Sequence, residues 1–283
     1  MPGKLIVVAT PLGNLEDLSP RAVQALSDVD CIACEDTRRT ARLLARHGLT
    51  TPTLSCHRFN ELARLAPILG RLAAGQSVGL VSDAGTPGIA DPGALLVREA
   101  LSRGVEVLPI PGPSAVTALL SVCGFPADRY VFDGFLPHRG GERRRRLREL
   151  RDERRPVVLF ETPHRIRESL ADMAEVLGSR RIVLGRELTK LHESIRRGTA
   201  AELLLGLDDE VRGEITLVVE GANGRVGADE VEAASRRILA TWRETLTESG
   251  GDRRRSLKIA ARRLGMKRPE LYRRLTELDE EPD

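Results

Sequence analysis

Aromatic side chains are scarce in this sequence. They make up 3% of its 283 residues, against 41% for apolar residues as a whole. A core of ordinary size must therefore be built from Val, Leu, Ile and Ala. Long apolar runs are missing as well: none approaches the ~18–20 residues that a membrane span needs, so no membrane partner is expected. The run Leu5-Ile6-Val7-Val8 is too short for a secretory signal and reads as a first strand. With no export signal the expected compartment is the cytoplasm, where the four cysteines stay free thiols. No P-loop pattern occurs, and no G-x-G-x-x-G follows a strand, which excludes the usual triphosphate and dinucleotide sites. No internal repeat or low-complexity tract stands out beyond clustered arginine.

Cys31 and Cys34 form a Cys-x-x-Cys. Their segment reads as a buried strand, in which residues three apart face opposite sides and cannot share a metal. Cys56 and Cys123 do not complete a four-ligand set, so no metal is expected.

What is present alternates. Strands read at 4–10, 30–34, 52–56, 77–82 and 105–110, and helices at 20–28, 38–47, 60–74, 92–103 and 114–123. That order predicts an α/β fold with a mainly parallel sheet. Ser19-Pro20, Asp91-Pro92 and Thr162-Pro163 each read as a helix start, with a capping side chain ahead of a proline. The pattern restarts near Gly124-Phe125-Pro126, which predicts domains over 1–125 and 126–221. The second reads as strands at 129–134, 156–161, 181–186 and 214–220, an extended piece at 194–197, and helices at 142–153, 163–177 and 199–206. Gly221-Ala222-Asn223-Gly224 reads as a linker to an all-helical extension over 228–283, with helices at 229–248, 253–264 and 268–278. The last two helices have helix-turn-helix texture, and a solvated helical cap fits the pattern as well.

The chemistry concentrates at predicted strand ends. Three Gly- and Pro-rich turns follow strands of the first domain: Thr10-Pro11-Leu12-Gly13-Asn14-Leu15, Ser82-Asp83-Ala84-Gly85-Thr86-Pro87-Gly88-Ile89 and Pro111-Gly112-Pro113-Ser114-Ala115. Open α/β sheets bind ligands there. These loops carry acids (Glu16, Asp17, Asp83, Asp91) where a phosphate would want bare N–H groups. A phosphate-free, cationic ligand suits them, and a sulfonium fits. Glu35-Asp36-Thr37-Arg38 ends the second strand, and its carboxylates read either as a helix cap or as a base for a substrate hydroxyl, with Arg38 on a phosphate. His164 reads as a neutral imidazole in a helix's first turn or as a plain surface residue. Nine arginines crowd 139–155 against four acids, which is either a solvated helix face or a phosphate-binding surface.

Together these blocks resemble the ribosomal RNA small subunit methyltransferase I family of the tetrapyrrole methylases. The matching runs are Val8 to Asp17, Glu35 to Arg38, Ser82 to Pro87, Asp91-Pro92-Gly93, Pro111 to Ala115, Gly134 to Pro137, Pro163-His164-Arg165, Arg186 to Lys190 and Gly213-Glu214, in order over 4–221. The resemblance implies a tetrapyrrole-methylase fold, with two α/β domains and S-adenosyl-L-methionine in the cleft between them, as a homodimer. It implies 2′-O-methylation of a cytidine in the decoding region of 16S rRNA, with the rRNA or the 30S subunit as partner. By position, the cofactor would meet Pro11, Leu12, Asp83, Ala84, Gly85, Thr86, Ile89, Ser114, Ala115, Glu161 and Leu188. Catalysis would fall to Glu35 and Asp36 as candidate bases, Arg38 and Arg165 on RNA phosphate, and Lys190 near the substrate. One departure stands out: porphyrin-modifying relatives carry Gly-Asp-Pro where this chain has Gly85-Thr86-Pro87, so an acidic cofactor contact is missing or is supplied by Asp83. Two rival readings are corrin or porphyrin methylation on the same fold, and a ligand-sensing DNA-binding regulator.

Overall fold

A computed structural model gives the fold over residues 3–208, 210–222 and 224–278. The chain divides into two compact units, Met1–Gly221 and Ala222–Asp283. Asn223 of the expected linker, and residues 279–283 of the expected extension, lie outside the described residues.

The first unit begins with β1 (Leu5–Val8), α1 (Pro20–Asp28), β2 (Cys31–Cys34), α2 (Thr37–Arg46), β3 (Thr53–Ser55), α3 (Glu61–Ala73), β4 (Val78–Val81), α4 (Ala94–Ser102), β5 (Val107–Ile110) and α5 (Ala115–Cys123). The strands form one sheet in the order β3-β2-β4-β1-β5, and every pairing is parallel. Helices cover both faces, so β2 and β4 are buried along their whole length. Cys31 and Ala33 enter one core and Ile32 and Cys34 the other, the alternation expected of a strand. All four cysteines are buried free thiols. Since β2, β4, β1 and β5 are neighbours, the loops leaving their carboxyl ends are neighbours too.

A second sheet follows: β6 (Val131–Phe135), α6 (Gly140–Leu150), β7 (Val157–Glu161), α7 (Ile166–Leu177), β8 (Arg181–Arg186), β9 (Ser194–Thr199), α8 (Ala200–Leu205) and β10 (Ile215–Val219). Its order is β6-β7-β10-β8-β9. Only β6 and β7 run parallel, and the other pairs are antiparallel. The expectation of mainly parallel strands, read from the first five, holds for the first sheet, and the second sheet is mixed. The short turn between β8 and β9 leaves no room for the crossover that parallel pairing requires. Helix α5 packs on this second sheet, where Val116, Leu119, Leu120 and Cys123 share a core with Val158, Val183 and Val218.

Two expected helix starts move. Ser19 does cap α1, accepting the Ala22 N–H at 3.1 Å. Helix α4, however, starts at Ala94 rather than Pro92, after Gly93 at φ 124°. The Gly93 N–H is satisfied from another helix, by Glu61 Oε1 at 3.0 Å, and Asp91 is left for other contacts. Helix α7 starts at Ile166, because Thr162 uses its carbonyl in a turn, accepting from Arg165 and Ile166.

The second unit is α9 (Gly224–Glu248), α10 (Arg253–Leu264) and α11 (Arg268–Glu277). Its core gathers Trp242, Ile238, Ala260, Ala261, Leu271 and Leu275. Asp252 caps α10, and left-handed Gly265 ends it, so a three-residue turn leads into α11 in helix-turn-helix order. Among the described residues no helix is long and apolar enough to cross a membrane.

Candidate functional site

A cavity of about 330 Å³ opens at the carboxyl ends of the first sheet's strands and reaches the second sheet. Its floor is fixed by the loop after β4. Thr10 and Gly85 exchange backbone hydrogen bonds (2.8 and 3.0 Å), and the Thr10 hydroxyl donates to the Ser82 carbonyl at 3.0 Å. Gly85 sits at φ +75°, a conformation that a side chain would strain. Ala90, in the same loop, holds φ +63° without being glycine. Such strain is most often kept where a loop must present a site.

The walls contain Leu12, Asp83, Ala84, Gly85, Thr86, Ile89, Ser114, Ala115 and Glu161 from the expected cofactor set, together with Glu35. Pro11 and Leu188 do not line the cavity. Pro11 is buried, and Leu188 packs with the core under α5. Asp91, one of the acids expected to suit a cationic ligand, also lines it, as do Arg39, Phe135, Phe160, Thr162, Pro163 and Glu214, which were not among the expected site residues. Asp91 and Glu214 stood inside the quoted blocks. The signal for Phe135 and Phe160 was their rarity, and their rings meet edge-on with centroids 5.6 Å apart.

The site is electronegative. Glu35, Asp83, Asp91, Glu161 and Glu214 surround it, with Arg39 as the cation. Burial, reinforced by Asp91 and Asp83, pushes the Glu35 carboxyl above its ordinary range against the pull of Arg39. Burial also raises Asp91, with Asp83 and Glu214 adding to it and a hydrogen bond from Ser82 opposing. Both carboxyls therefore hold a proton more readily in the folded chain than in the unfolded one. Their contribution to stability is present in acid and is lost as pH rises through their folded values. Asp91→Asn is expected to raise the thermal midpoint near neutrality, with the gain vanishing in acid. An unchanged or lower midpoint at neutral pH would remove this reading.

The other expected catalytic residues have structural partners. Asp36 caps α2, accepting the Arg38 N–H at 2.8 Å and two bonds from the Arg38 guanidinium. Those bonds hold it near a pKa of about 2. Arg165 donates to the Leu136 and Pro137 carbonyls (2.6 and 3.3 Å) and lies 3.4 Å from Glu161 Oε2. Glu161 also accepts from the Thr162 N–H and the Ser169 hydroxyl. Lys190 bridges Glu187 (2.8 Å) and Glu214 (3.1 Å), and these partners outweigh burial to hold it above the usual lysine value. Its stem covers Gly13, where a Cβ would lie 2.1 Å from Lys190 Cγ. Thr189 Oγ1 accepts the Asn14 N–H at 3.2 Å, so this loop clamps the first one. Glu187 and Thr189 both take positive φ to do it. His164 is exposed.

The arginine run on α6 is largely paired. Arg143 is buried against Asp172 (2.6 Å) and Glu168 (3.2 Å), Arg144 joins Asp172, and Arg146 joins Asp133. Carboxylates from other elements thus take up much of the local excess. Among the described residues no group of His, Cys, Asp or Glu is arranged to hold a metal.

Known proteins resemble this chain in sequence and in fold. Residues 4–204 match the family described as Tetrapyrrole (Corrin/Porphyrin) Methylases. Ribosomal RNA small subunit methyltransferase I of Xylella fastidiosa (strain Temecula1) is 46% identical over 275 residues, covering 96% of this chain and 98% of that protein. The Thermotoga maritima protein of the same name is 46% identical over 220 residues, 77% of this chain and 99% of its own length. That stretch is about as long as the first unit. The crystal structure of the methyltransferase CobJ matches with a TM-score of 0.60 at 22% identity, covering 78% of this chain and 95% of that one, a likeness of fold. The chain therefore belongs to the tetrapyrrole methylases and, within them, to the ribosomal RNA small subunit methyltransferase I family.

Proposed function

We propose that this protein methylates the ribose 2′-hydroxyl of a cytidine in the decoding region of 16S rRNA, with S-adenosyl-L-methionine as donor, in the cytoplasm and as a homodimer. One observation carries the donor assignment: a cavity ringed by carboxylates and lined by small residues at parallel-strand ends. Ala84, Gly85, Ser114 and Ala115 let a ligand approach the backbone, and Leu12, Ile89 and Val116 supply apolar contact. S-adenosyl-L-methionine supplies an electrophilic methyl group on a sulfonium, and Glu35 and Asp91 face that cation. Placing the hydroxyl in line with the methyl group can lower the barrier by up to ~7–11 kcal/mol. Glu35 accepts the hydroxyl proton, because a raised carboxyl lies closer to working pH than an ordinary one. Phe135, half exposed at the rim, offers a ring for a base to stack on.

Labelled S-adenosyl-L-methionine with 30S subunits, with free 16S rRNA and with porphyrin tests this assignment. Label recovered as 2′-O-methylcytidine is the expected result. Transfer to porphyrin alone, or none with tight duplex-DNA binding, would replace it with one of the rival readings.

The second unit supports an RNA partner. Between residues 253 and 274 it carries ten Lys and Arg against the lone acid Glu270. Deleting residues 228–283 should weaken RNA binding and spare cofactor binding, as measured by filter binding and calorimetry. Unchanged RNA affinity in the truncated protein would sink this role.

A further inference from the structure

A second cavity of about 270 Å³ is formed by Asp36, Arg38, Arg39 and Arg42. Arg39 lines both cavities. The three arginines lie on the first turns of α2, at spacings of three and four that put them side by side. The helix buries Thr40, Leu43 and Leu44 instead. Like charges at such spacing repel, and the amino end of a helix disfavours cations. Asp36 holds Arg38, whose side chain remains 87% exposed, and Asp83 holds Arg39 at 3.3 Å, 60% exposed. Arg42 is exposed, and no described residue pairs with it. Two anchored guanidinium groups and a free third thus stand in one recess, which shares Arg39 with the cavity that holds Glu35.

We propose that Arg38, Arg39 and Arg42 form a phosphate subsite for the RNA backbone at the target nucleotide. The inference rests on the RNA reading above. In RNA the 2′-hydroxyl and the 3′-phosphate sit on neighbouring ribose carbons. A site that brings the hydroxyl to Glu35 must therefore hold a phosphate a few ångströms away. Arg39 occupies that position, between the base candidate and the recess. Planar guanidinium groups suit the phosphate by bidentate bonding. The anchoring carboxylates fix two of the three in advance, so less side-chain freedom is lost on binding.

The test uses the full-length protein and the RNA substrate that the unmodified enzyme labels. Arg42→Gln and Arg38→Gln should each raise the KM for RNA roughly ten-fold, the scale of a lost charged hydrogen bond. The kcat and the affinity for S-adenosyl-L-methionine should change far less. The slope of log KM against log salt should fall by about 1 per variant. Arg103→Gln, at the other end of the sheet on the exposed end of α4, should leave all of these unchanged. Wild-type slope and KM in both α2 variants, or an equal effect from Arg103→Gln, would overturn the subsite while leaving the RNA reading intact. Absence of RNA labelling by the unmodified enzyme would overturn both.

Discussion

Glu35→Gln is expected to lower kcat by about 10²–10⁴-fold, the range in which a positioned base contributes. The substitution keeps the shape of the side chain and removes only its ability to take a proton. Asp83 and Asp91 remain to face a cationic ligand, so S-adenosyl-L-methionine should still bind within a few-fold of normal. The neighbouring acid behaves differently. Asp36, held near a pKa of about 2 by Arg38, is too weak a base to share the task. Asn caps a helix as well as Asp does, so Asp36→Asn should keep α2 and most of the turnover. Single-turnover transfer of labelled methyl to RNA separates the two. The pH profile adds a second readout: kcat should fall in acid through a value above the ordinary carboxylate range, and that limb should disappear in Glu35→Gln. Near-normal turnover in Glu35→Gln, or an equal loss in Asp36→Asn, would remove Glu35 from the mechanism.

Arg165→Ala should cost stability rather than chemistry. The Arg165 side chain is 13% exposed and faces Glu161, which is 1% exposed. Removing one partner of such a pair leaves a buried charge uncompensated, typically at ~3–5 kcal/mol. That is a large share of the ~5–15 kcal/mol that holds an ordinary domain together. The Leu136 and Pro137 carbonyls lose their donor at the same time. Denaturant titration should show the loss directly. Arg165→Met combined with Glu161→Gln should lose less than the sum of the two single changes, since it leaves no lone charge. A stable Arg165→Ala protein with a raised KM for RNA would instead return Arg165 to the substrate.

Local pattern was enough for much of the scaffold. Residues 181–186 form a strand and 253–264 a helix at the bounds expected from the sequence, and Cys31 and Cys34 separate across a sheet as period two requires. What sequence reading missed is non-local. Asp91 does not cap α4, because Glu61 on α3 reaches the Gly93 N–H first. Arg143 does not present its charge to RNA, because Asp172 and Glu168 come from another helix. The carboxylates of the cavity, at 35, 83, 91, 161 and 214, meet only through the strand orders of the two sheets. Glycine and proline marked the 83–91 loop and the neighbours of Glu161 and Glu214, but the sequence carries no signal for which acids would face one another.

The place of β10 has a consequence for how the enzyme is born. It is the last strand of the first unit to be synthesised, yet it lies in the middle of its sheet, between β7 and β8. Until residues 215–219 emerge, β7 and β8 have no strand to join them, and α5 lacks part of its bed. Glu214, Ile215 and Thr216, which complete the cavity, arrive with that strand. Domains fold as units during synthesis at roughly 5–20 residues per second. A nascent chain can thus close its first sheet long before it can hold a methyl donor, and the second, helical unit is already being made when the site is finally assembled.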